Sequence, residues 1–436
     1  VFDKIQSIFK IPELRRRILV TLGLLIVFRV GCYVPVPGID GSALAEALGR
    51  MQGTLLGLYD MFAGGAFSRA TVFALGIMPY ISSSIIMQLL TAVIPYFEKL
   101  QKEGEEGRRK ITQYTRYGTV LLAMLQSYGI SLYLERMPLA TTRPIVPATG
   151  IGFRLMTMVT LTAGTIFLMW LGEKITEKGI GNGISLLIFT GIIARYPSDI
   201  KRTFIALRTG QLNLFTLILL IIVMVVIIAG VIVMTQGMRK IPVQYAKRVV
   251  GRKIYGGHST HIPLRVNTAG VIPIIFAQAI LMFPTSIATW FGRAGFADAV
   301  QAYLSPGSAI YNLMYAVIIV FFAYFYTAIV FNPSDLADNM QKYGGFIPGI
   351  RPGKRTAEYI DRVLTRITLP GALFLAFIAI LPSIFIYEFN APFVFGGTGL
   401  LIVVGVALDT LQQIESHLLM RHYEGFLKRG KLRGRR

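Results

Sequence analysis

Ten apolar runs, each close to the about 20 residues that a helix needs to cross a bilayer, constrain this chain more than any other feature. They fall near residues 18–36, 72–95, 115–134, 153–172, 183–199, 212–235, 268–290, 308–331, 368–387 and 396–414. Composition agrees, since 54% of the 436 residues are hydrophobic and only 15% are charged. A water-soluble chain carries about 25% charged residues. The shortfall follows if much of the surface faces lipid, where an ionised side chain costs about 3 kcal/mol at mid-helix. The expected fold class is therefore all-α and polytopic, with ten transmembrane helices. The single cysteine, Cys32, lies in the first run and reads as a packing residue, with no partner for an intramolecular disulfide.

A net charge of +22 fits nucleic acid, anionic lipid or a positive-inside bias, and position separates the three. Of the 44 Lys and Arg residues, 33 fall in the N-terminus, the connections after even-numbered spans and the C-terminal tail. Nine fall in the other connections, and Arg29 and Arg154 lie inside spans. Both termini are expected to be cytoplasmic, which an even number of spans requires. The stretch IPELRRRILVTLGLLIVFRVG reads as a basic flank followed by a retained span rather than a cleaved signal.

Ten spans divide into five and five, and an odd number per half turns the second half over. The expected organisation is a cytoplasmic N-terminus at 1–17, an N-terminal half at 18–200, a C-terminal half at 201–415 and a basic tail at 416–436. Span two carries Gly76-Ile-Met-Pro79 and span seven Gly270-Val-Ile-Pro273, the same Gly-x-x-Pro at corresponding places. Each proline is expected to bend its helix, and paired interruptions point to the working site. Between 37 and 71 the chain is too broken by glycine to span and too apolar for an ordinary solvated loop, so it is expected to fold back toward the membrane.

Enzyme signatures are missing from the sequence. The histidines, His258 with His261 and His417 with His422, do not form the i, i+4 pair of a zinc protease, and GIRPGKRT lacks the spacing and the Ser or Thr of a phosphate loop. Ionisable groups within spans are limited to Arg29, Arg154, Glu173 and Asp409, mostly toward span ends. This scarcity argues against an ion-coupled carrier and permits a pore gated by bulky aliphatic side chains. Ile77, Ile81, Ile188, Ile275 and Ile402 are candidates, although composition alone favours reading them as lipid-facing packing. Ser82-Ser83-Ser84 with Gln88 in span two, and Gln278 in span seven, suit either a seam that opens or ordinary helix packing.

Two long basic connections, near 236–267 and 332–367, are longer than charge anchoring needs. The first alternates basic and β-prone residues around Gly256-Gly257, as in an ordered hairpin, and the second sets Gly/Pro turns between helical patterns. Both read as docking surfaces for an acidic protein or ribosomal RNA, with lipid headgroups as the alternative.

Long motifs resemble the SecY family: VFALGIMPYISSSIIMQLL, KEGEEGRRKITQYTRYGT, LGEKITEKGIGNGIS, YGGHSTHIPLRVNTAGVIPIIF, FNPSDLADNMQKYGGFIPGIRPGKRT and FGGTGLLIVVGVALDT. The resemblance runs from about Ile11 to Gly425. It implies two inverted five-helix halves forming a clamshell around a central pore, which conducts unfolded secretory polypeptides across the bacterial plasma membrane and releases membrane segments sideways. It puts a pore ring on Ile77, Ile81, Ile188, Ile275 and Ile402. It puts a plug within about 55–70, on Tyr59, Asp60, Met61, Phe62, Ala63, Gly64, Gly65, Ala66 and Phe67. A lateral gate would use Pro79, Ser83, Met87, Gln88, Pro273 and Gln278, and docking would use Arg252, Lys253 and Arg351. The implied partners are SecE and SecG subunits, the SecA motor, the ribosome, signal sequences and unfolded preproteins, membrane lipid and a second copy of the chain. No cofactor or metal is implied.

Of three function classes, a protein-conducting channel, an inverted-repeat carrier and an intramembrane enzyme, the long basic connections and the scarcity of midplane charge favour the first. Solute flux driven by an ion gradient would mark the second, and turnover by the isolated subunit the third.

Overall fold

Each of the ten apolar runs contains a helix in the computed structural model, which describes residues 11–49, 55–137, 144–245, 248–250, 253–255, 259–291, 303, 308–389 and 397–429. In chain order the helices over these runs are α1 (Pro12–Gly31), α4 (Met78–Val93), α6 (Glu105–Arg136), α7 (Ile151–Lys178), α8 (Gly183–Ile193), α10 (Leu214–Gln236), α11 (Ile272–Phe291), α12 (Ala309–Val330), α14 (Lys354–Phe389) and α15 (Gly397–Arg429). Between them lie α2 (Gly41–Gly49), α3 (Leu55–Phe62), α5 (Pro95–Lys102), α9 (Tyr196–Arg208) and α13 (Pro333–Lys342).

Five described stretches are long and apolar enough to cross a membrane unaided: Ile151–Lys178, Leu214–Gln236, Ala309–Lys342, Lys354–Leu381 and Thr398–Leu418. The pair α4 and α5, bent by 97°, adds a sixth candidate. In α1 the basic start Arg15-Arg16-Arg17 dilutes the hydropathy, and α8 has only 11 residues. Helix α10 shows why lipid is the solvent: it is apolar on every side, and of its 23 residues only Val231 is buried. At 1.5 Å per residue it is about 35 Å long, enough for a hydrocarbon core of about 30 Å. The chain is a multi-pass membrane protein.

The prolines of the paired Gly-x-x-Pro act otherwise than expected. Residues 72–77 form turns, so α4 starts six residues later than its apolar run, with Pro79 in its first turn. Pro273 is likewise the second residue of α11. A proline there loses no helical hydrogen bond, because the first N–H groups of a helix have no partner within it. The change of direction comes from the glycines, Gly76 with φ +59° and Gly270 with φ +64°, a backbone region open to glycine at little cost. Both helices therefore begin at these motifs rather than bending at them.

The fifth run is divided at Ala194 and Arg195 between α8 and α9. The LGEKITEKGIGNGIS motif builds the entry to α8. Asn182 caps it, with Oδ1 accepting from the N–H groups of Ile184 and Ser185. Thr21 Oγ1 accepts from Ile180 N at 3.0 Å, and Gln413 Oε1 accepts from Gly181 N at 2.9 Å.

The two long basic connections fold together. Strands β1 (Met238–Tyr245) and β4 (Ser259–Arg265) pair antiparallel from Met238↔Arg265 to Gln244↔Ser259, and β2 (Arg248–Val250) pairs with β3 (Lys253–Tyr255) beyond them. The second connection supplies β5 (Gly345–Phe346), which joins the free edge of β1. Beneath the sheet, Ile241, Val243 and Leu264 pack with Met340, Ile347 and Ile360. The alternation of β1 buries Ile241 and Val243 and exposes Lys240, Pro242 and Gln244, as a sheet with one wet face requires.

The chain divides into two compact units. The first comprises Val1–Ile205, Ala279–Ser308 and Val406–Arg436, and the second Ala206–Gln278 with Ala309–Gly405.

Candidate functional site: a buried non-helical segment and its anchors

Within the first unit the segment from Tyr59 to Phe67 is buried throughout although only its first residues are helical. Irregular backbone at membrane depth survives only where its polar groups are satisfied by protein, and here they are. Gly65 N donates to Asp60 O at 2.9 Å, Gly64 N to Met61 O at 3.2 Å and Thr71 N to Ala66 O at 3.0 Å. Asp60 Oδ1 accepts from Ser68 N at 2.8 Å, closing the turn from the side-chain direction. Downstream, Val36 N donates to Ala70 O at 2.8 Å and Val72 N to Val34 O at 3.0 Å, so the segment leaves along a short antiparallel bridge.

Side chains then anchor the segment. The Tyr59 hydroxyl donates to Leu75 O at 3.1 Å, and its ring meets Phe67 edge-on with centroids 5.4 Å apart. Arg29 Nη1, in the last turn of α1, donates to Gly64 O at 2.9 Å. Arg195 Nη1 donates to Gly57 O at 3.3 Å and stands 3.7 Å from Asp60 Oδ2. Two close approaches need glycine: a Cβ on Gly64 would lie 3.0 Å from Gly191 Cα of α8, and one on Gly76 would lie 3.3 Å from Ala63 Cα. Gly64 at φ +69° and Gly65 at φ +79° also need the left-handed region. Behind the segment, Phe28 stacks on Phe73 and Phe73 on Phe167.

The five candidate ring isoleucines are all buried, Ile188 and Ile402 almost completely. Ile77, Ile81 and Ile188 belong to the first unit, and Ile275 and Ile402 to the second. Ile77 is the N-cap of α4, and Ile81 N donates to its carbonyl at 3.1 Å, placing the two one turn apart on one face. In the second unit α15 meets the start of α11 where a Cβ on Gly405 would collide with Val271. Ile402 and Ile275 each lie about one turn from that contact.

The polar residues of spans two and seven bond within their own units. Ser83 Oγ donates to Thr115 O of α6 at 2.7 Å, beside Gly118. Gln88 Nε2 donates to Ser84 Oγ at 3.3 Å and leaves its buried Oε1 without a partner. Gln278 Nε2 donates to the Tyr311 hydroxyl of α12 at 3.4 Å. Pro79, Met87 and Pro273 are buried. Of the docking candidates, Arg351 is exposed in the turn before α14, where its carbonyl accepts from Thr356 Oγ1 at 3.0 Å. Lys253 lies in β3, and Arg252 lies outside the described residues.

Three in-span charges have partners. Arg116 grips Glu173 with two bonds of 2.9 and 2.8 Å between α6 and α7, and Arg154 pairs with Glu135 at 2.7 Å. Arg29 holds Gly64. Sequence reasoning missed Arg195, Gly191 and the role of Arg29 as an anchor; an arginine inside a span was the available signal for the last.

A multi-pass membrane protein with paired Gly-x-x-Pro helix starts, a buried irregular segment and a folded basic module defines a class of helical membrane protein. The chain belongs to the SecY family, whose model matches residues 71–411. It is 50% identical over 425 residues to the protein translocase subunit SecY of Escherichia coli (strain K12), covering 97% of this chain and 96% of that protein. It is 46% identical over 428 residues to the subunit of the same name from Aquifex aeolicus (strain VF5), covering 98% and 100%. Among solved structures it resembles one titled a protein conducting channel, with a TM-score of 0.65, 18% identity and coverage of 98% and 99%. It also resembles Sec61 in the canine ribosome-channel complex from the endoplasmic reticulum, with a TM-score of 0.60 and 17% identity over 98% and 99%.

Proposed function

We propose that this chain is the pore-forming subunit of a protein translocase, conducting unfolded secretory polypeptides across the bacterial plasma membrane and passing hydrophobic segments sideways into lipid. The family supports the translocase reading. The structural observation that carries the gating is the segment Tyr59–Phe67, which fills its site through a few long-range side-chain bonds and glycine contacts rather than through a continuous helix. A stopper attached this way can leave and return without unfolding a span. It serves as the plug, and Ile77, Ile81, Ile188, Ile275 and Ile402 form the dewetted ring that stops ions. The helices beginning at the two Gly-x-x-Pro motifs part to admit a signal segment.

Both termini are cytoplasmic, and the folded basic module carrying Arg252, Lys253 and Arg351 receives the SecA motor or the ribosome. SecE and SecG complete the channel. Energy comes from those partners' nucleotide use or from the membrane potential, and this subunit supplies the path rather than covalent chemistry. An ion-coupled carrier is disfavoured because Glu173 is held in a two-pronged pair with Arg116 and Asp409 is exposed, leaving neither suited to midplane proton relay.

The test is reconstitution of the chain with SecE and SecG in liposomes, scoring whether SecA and ATP move an unfolded precursor into protease-protected space. Protection is expected for the wild type and loss of it for Arg351→Glu. Absence of protection with a folded, correctly oriented complex would remove SecA-driven translocation.

A further inference from the structure

Beside the buried segment, on the surface of the same unit, Arg29, Tyr33 and Arg69 form a cluster that holding Gly64 does not explain. Arg69 Cζ lies 4.4 Å from the centroid of the Tyr33 ring and Arg29 Cζ 5.2 Å from it. Arg29 Nη2 also donates to the Tyr33 hydroxyl at 3.3 Å. Tyr33 is 58% exposed and Arg69 is exposed. Among the described residues neither guanidinium has a carboxylate within salt-bridge distance. The ring face attracts each cation, yet two like charges on one ring still repel, and no carboxylate among the described residues offsets either of them. A bound anion would resolve both.

Position says which anion. Helix α1 begins with Arg15-Arg16-Arg17 and ends at Gly31, so Arg16 and Tyr33 are about 25 Å apart along its axis. Taking α1 as the first span, which its apolar run implies, puts the two basic groups at opposite interfaces of one bilayer, with long side chains reaching outward at both ends. Between them α1 exposes Ile26, Val27 and Val30, and Val34 is exposed next to Tyr33. A site with a double guanidinium fork, an aromatic ring at headgroup level and a bare aliphatic face leading into the bilayer matches a phospholipid rather than a free ion.

We infer that Arg29, Tyr33 and Arg69 bind the phosphate of an anionic phospholipid in the leaflet opposite Arg15–Arg17, with an acyl chain along α1. Resting on the reading of Tyr59–Phe67 as a plug, the lipid also acts on gating. Arg29 uses one nitrogen for Gly64 O, and Arg69 follows the segment by two residues. A headgroup gripped by both fixes the exit of the plug to the end of α1 and favours the closed state.

The test uses the full chain in detergent, with dioleoylphosphatidylglycerol, dioleoylphosphatidylcholine or inorganic phosphate added, and counts retained lipid by native mass spectrometry. The wild type is expected to retain one more phosphatidylglycerol than Arg69→Gln, whose affinity falls about fivefold, the contribution of one basic residue at an anionic surface. Tyr33→Leu serves as a second variant, and an unchanged thermal midpoint shows that each has folded. Equal retention by wild type and both variants would overturn the site, and so would complete displacement of lipid by equimolar phosphate. Because retention is scored without any transport, its failure is separate from failure of the channel reading. The gating half is read from ion leak in liposomes: lower leak in phosphatidylglycerol than in phosphatidylcholine, with the difference lost in Arg69→Gln, supports it, and leak independent of lipid overturns it.

Discussion

Arg29 donates a 2.9 Å hydrogen bond to the carbonyl of Gly64, tying the last turn of the first membrane helix to a non-helical turn 35 residues later. A guanidinium near the end of a span is expensive unless it is paired, and here its partner is a backbone carbonyl at the tip of the segment that fills the site. Replacing it with a neutral side chain removes a charge-assisted bond worth about 1–2 kcal/mol when half-buried. On the proposed reading of Tyr59–Phe67 as a plug, Arg29→Gln is therefore expected to shift that segment toward a displaced state about tenfold. Ion conductance of the reconstituted channel without substrate would show this as increased leak, and leak equal to wild type would remove Arg29 from the closed state.

Asp60 combines two functions that substitutions can separate. Its Oδ1 accepts from Ser68 N at 2.8 Å, while Oδ2 stands 3.7 Å from Arg195. The long, partly exposed ion pair is worth less than about 1 kcal/mol, whereas leaving the Ser68 N–H unpaired costs about 1–3 kcal/mol. Asp60→Asn, which keeps an acceptor, is expected to stay near wild-type leak, and Asp60→Ala to leak clearly more. Conductance of the two variants side by side decides between turn closure and charge as the main contribution; equal leak from both would favour charge.

Gly191 tests contact rather than charge. A Cβ there would lie 3.1 Å from Gly64 Cα, and backbone cannot yield as a side-chain tip can. Gly191→Ala is expected to move the segment by a few tenths of an ångström with a small rise in leak. Gly191→Val, whose γ-carbons add further volume, should displace the segment and raise leak several-fold while the helices still form, a separation that circular dichroism alongside conductance can read.

Legibility in the sequence followed interaction range. Each apolar run contains a helix because lipid leaves a spanning backbone no other way to satisfy itself. The starts of α4 and α11 were misjudged because proline was weighed and the preceding glycine was not: Gly76 and Gly270, both at positive φ, turn the chain, and Pro79 and Pro273 then fit a first turn. The hairpin of β1 and β4 was visible from its alternation. Its union with β5, through Gln244↔Phe346, was not, because that pairing spans about a hundred residues and β5 is too short to leave a pattern. The anchors at Arg195 and Gly191 were hidden for the same reason, since both are defined by a segment more than a hundred residues earlier in the chain.

The basic module offers a contrast between folding and docking that one pair of variants can draw. Leu264 is buried against Ile241, Val243, Met340, Ile347 and Ile360, a core assembled from both long connections. Truncating it removes packing on both sides, so Leu264→Ala is expected to cost about 2–5 kcal/mol and to loosen the module, with faster amide exchange across β1 and β4. Arg351 sits at the opposite extreme, exposed in a turn whose geometry depends on its carbonyl, not on its guanidinium. Arg351→Glu should leave exchange in β1 and β4 unchanged, because the Thr356 bond to the main chain survives, and yet block motor-driven translocation by reversing charge where an acidic partner surface would sit. If Arg351→Glu instead raised exchange as Leu264→Ala does, its effect on transport would be structural and the docking assignment would fall.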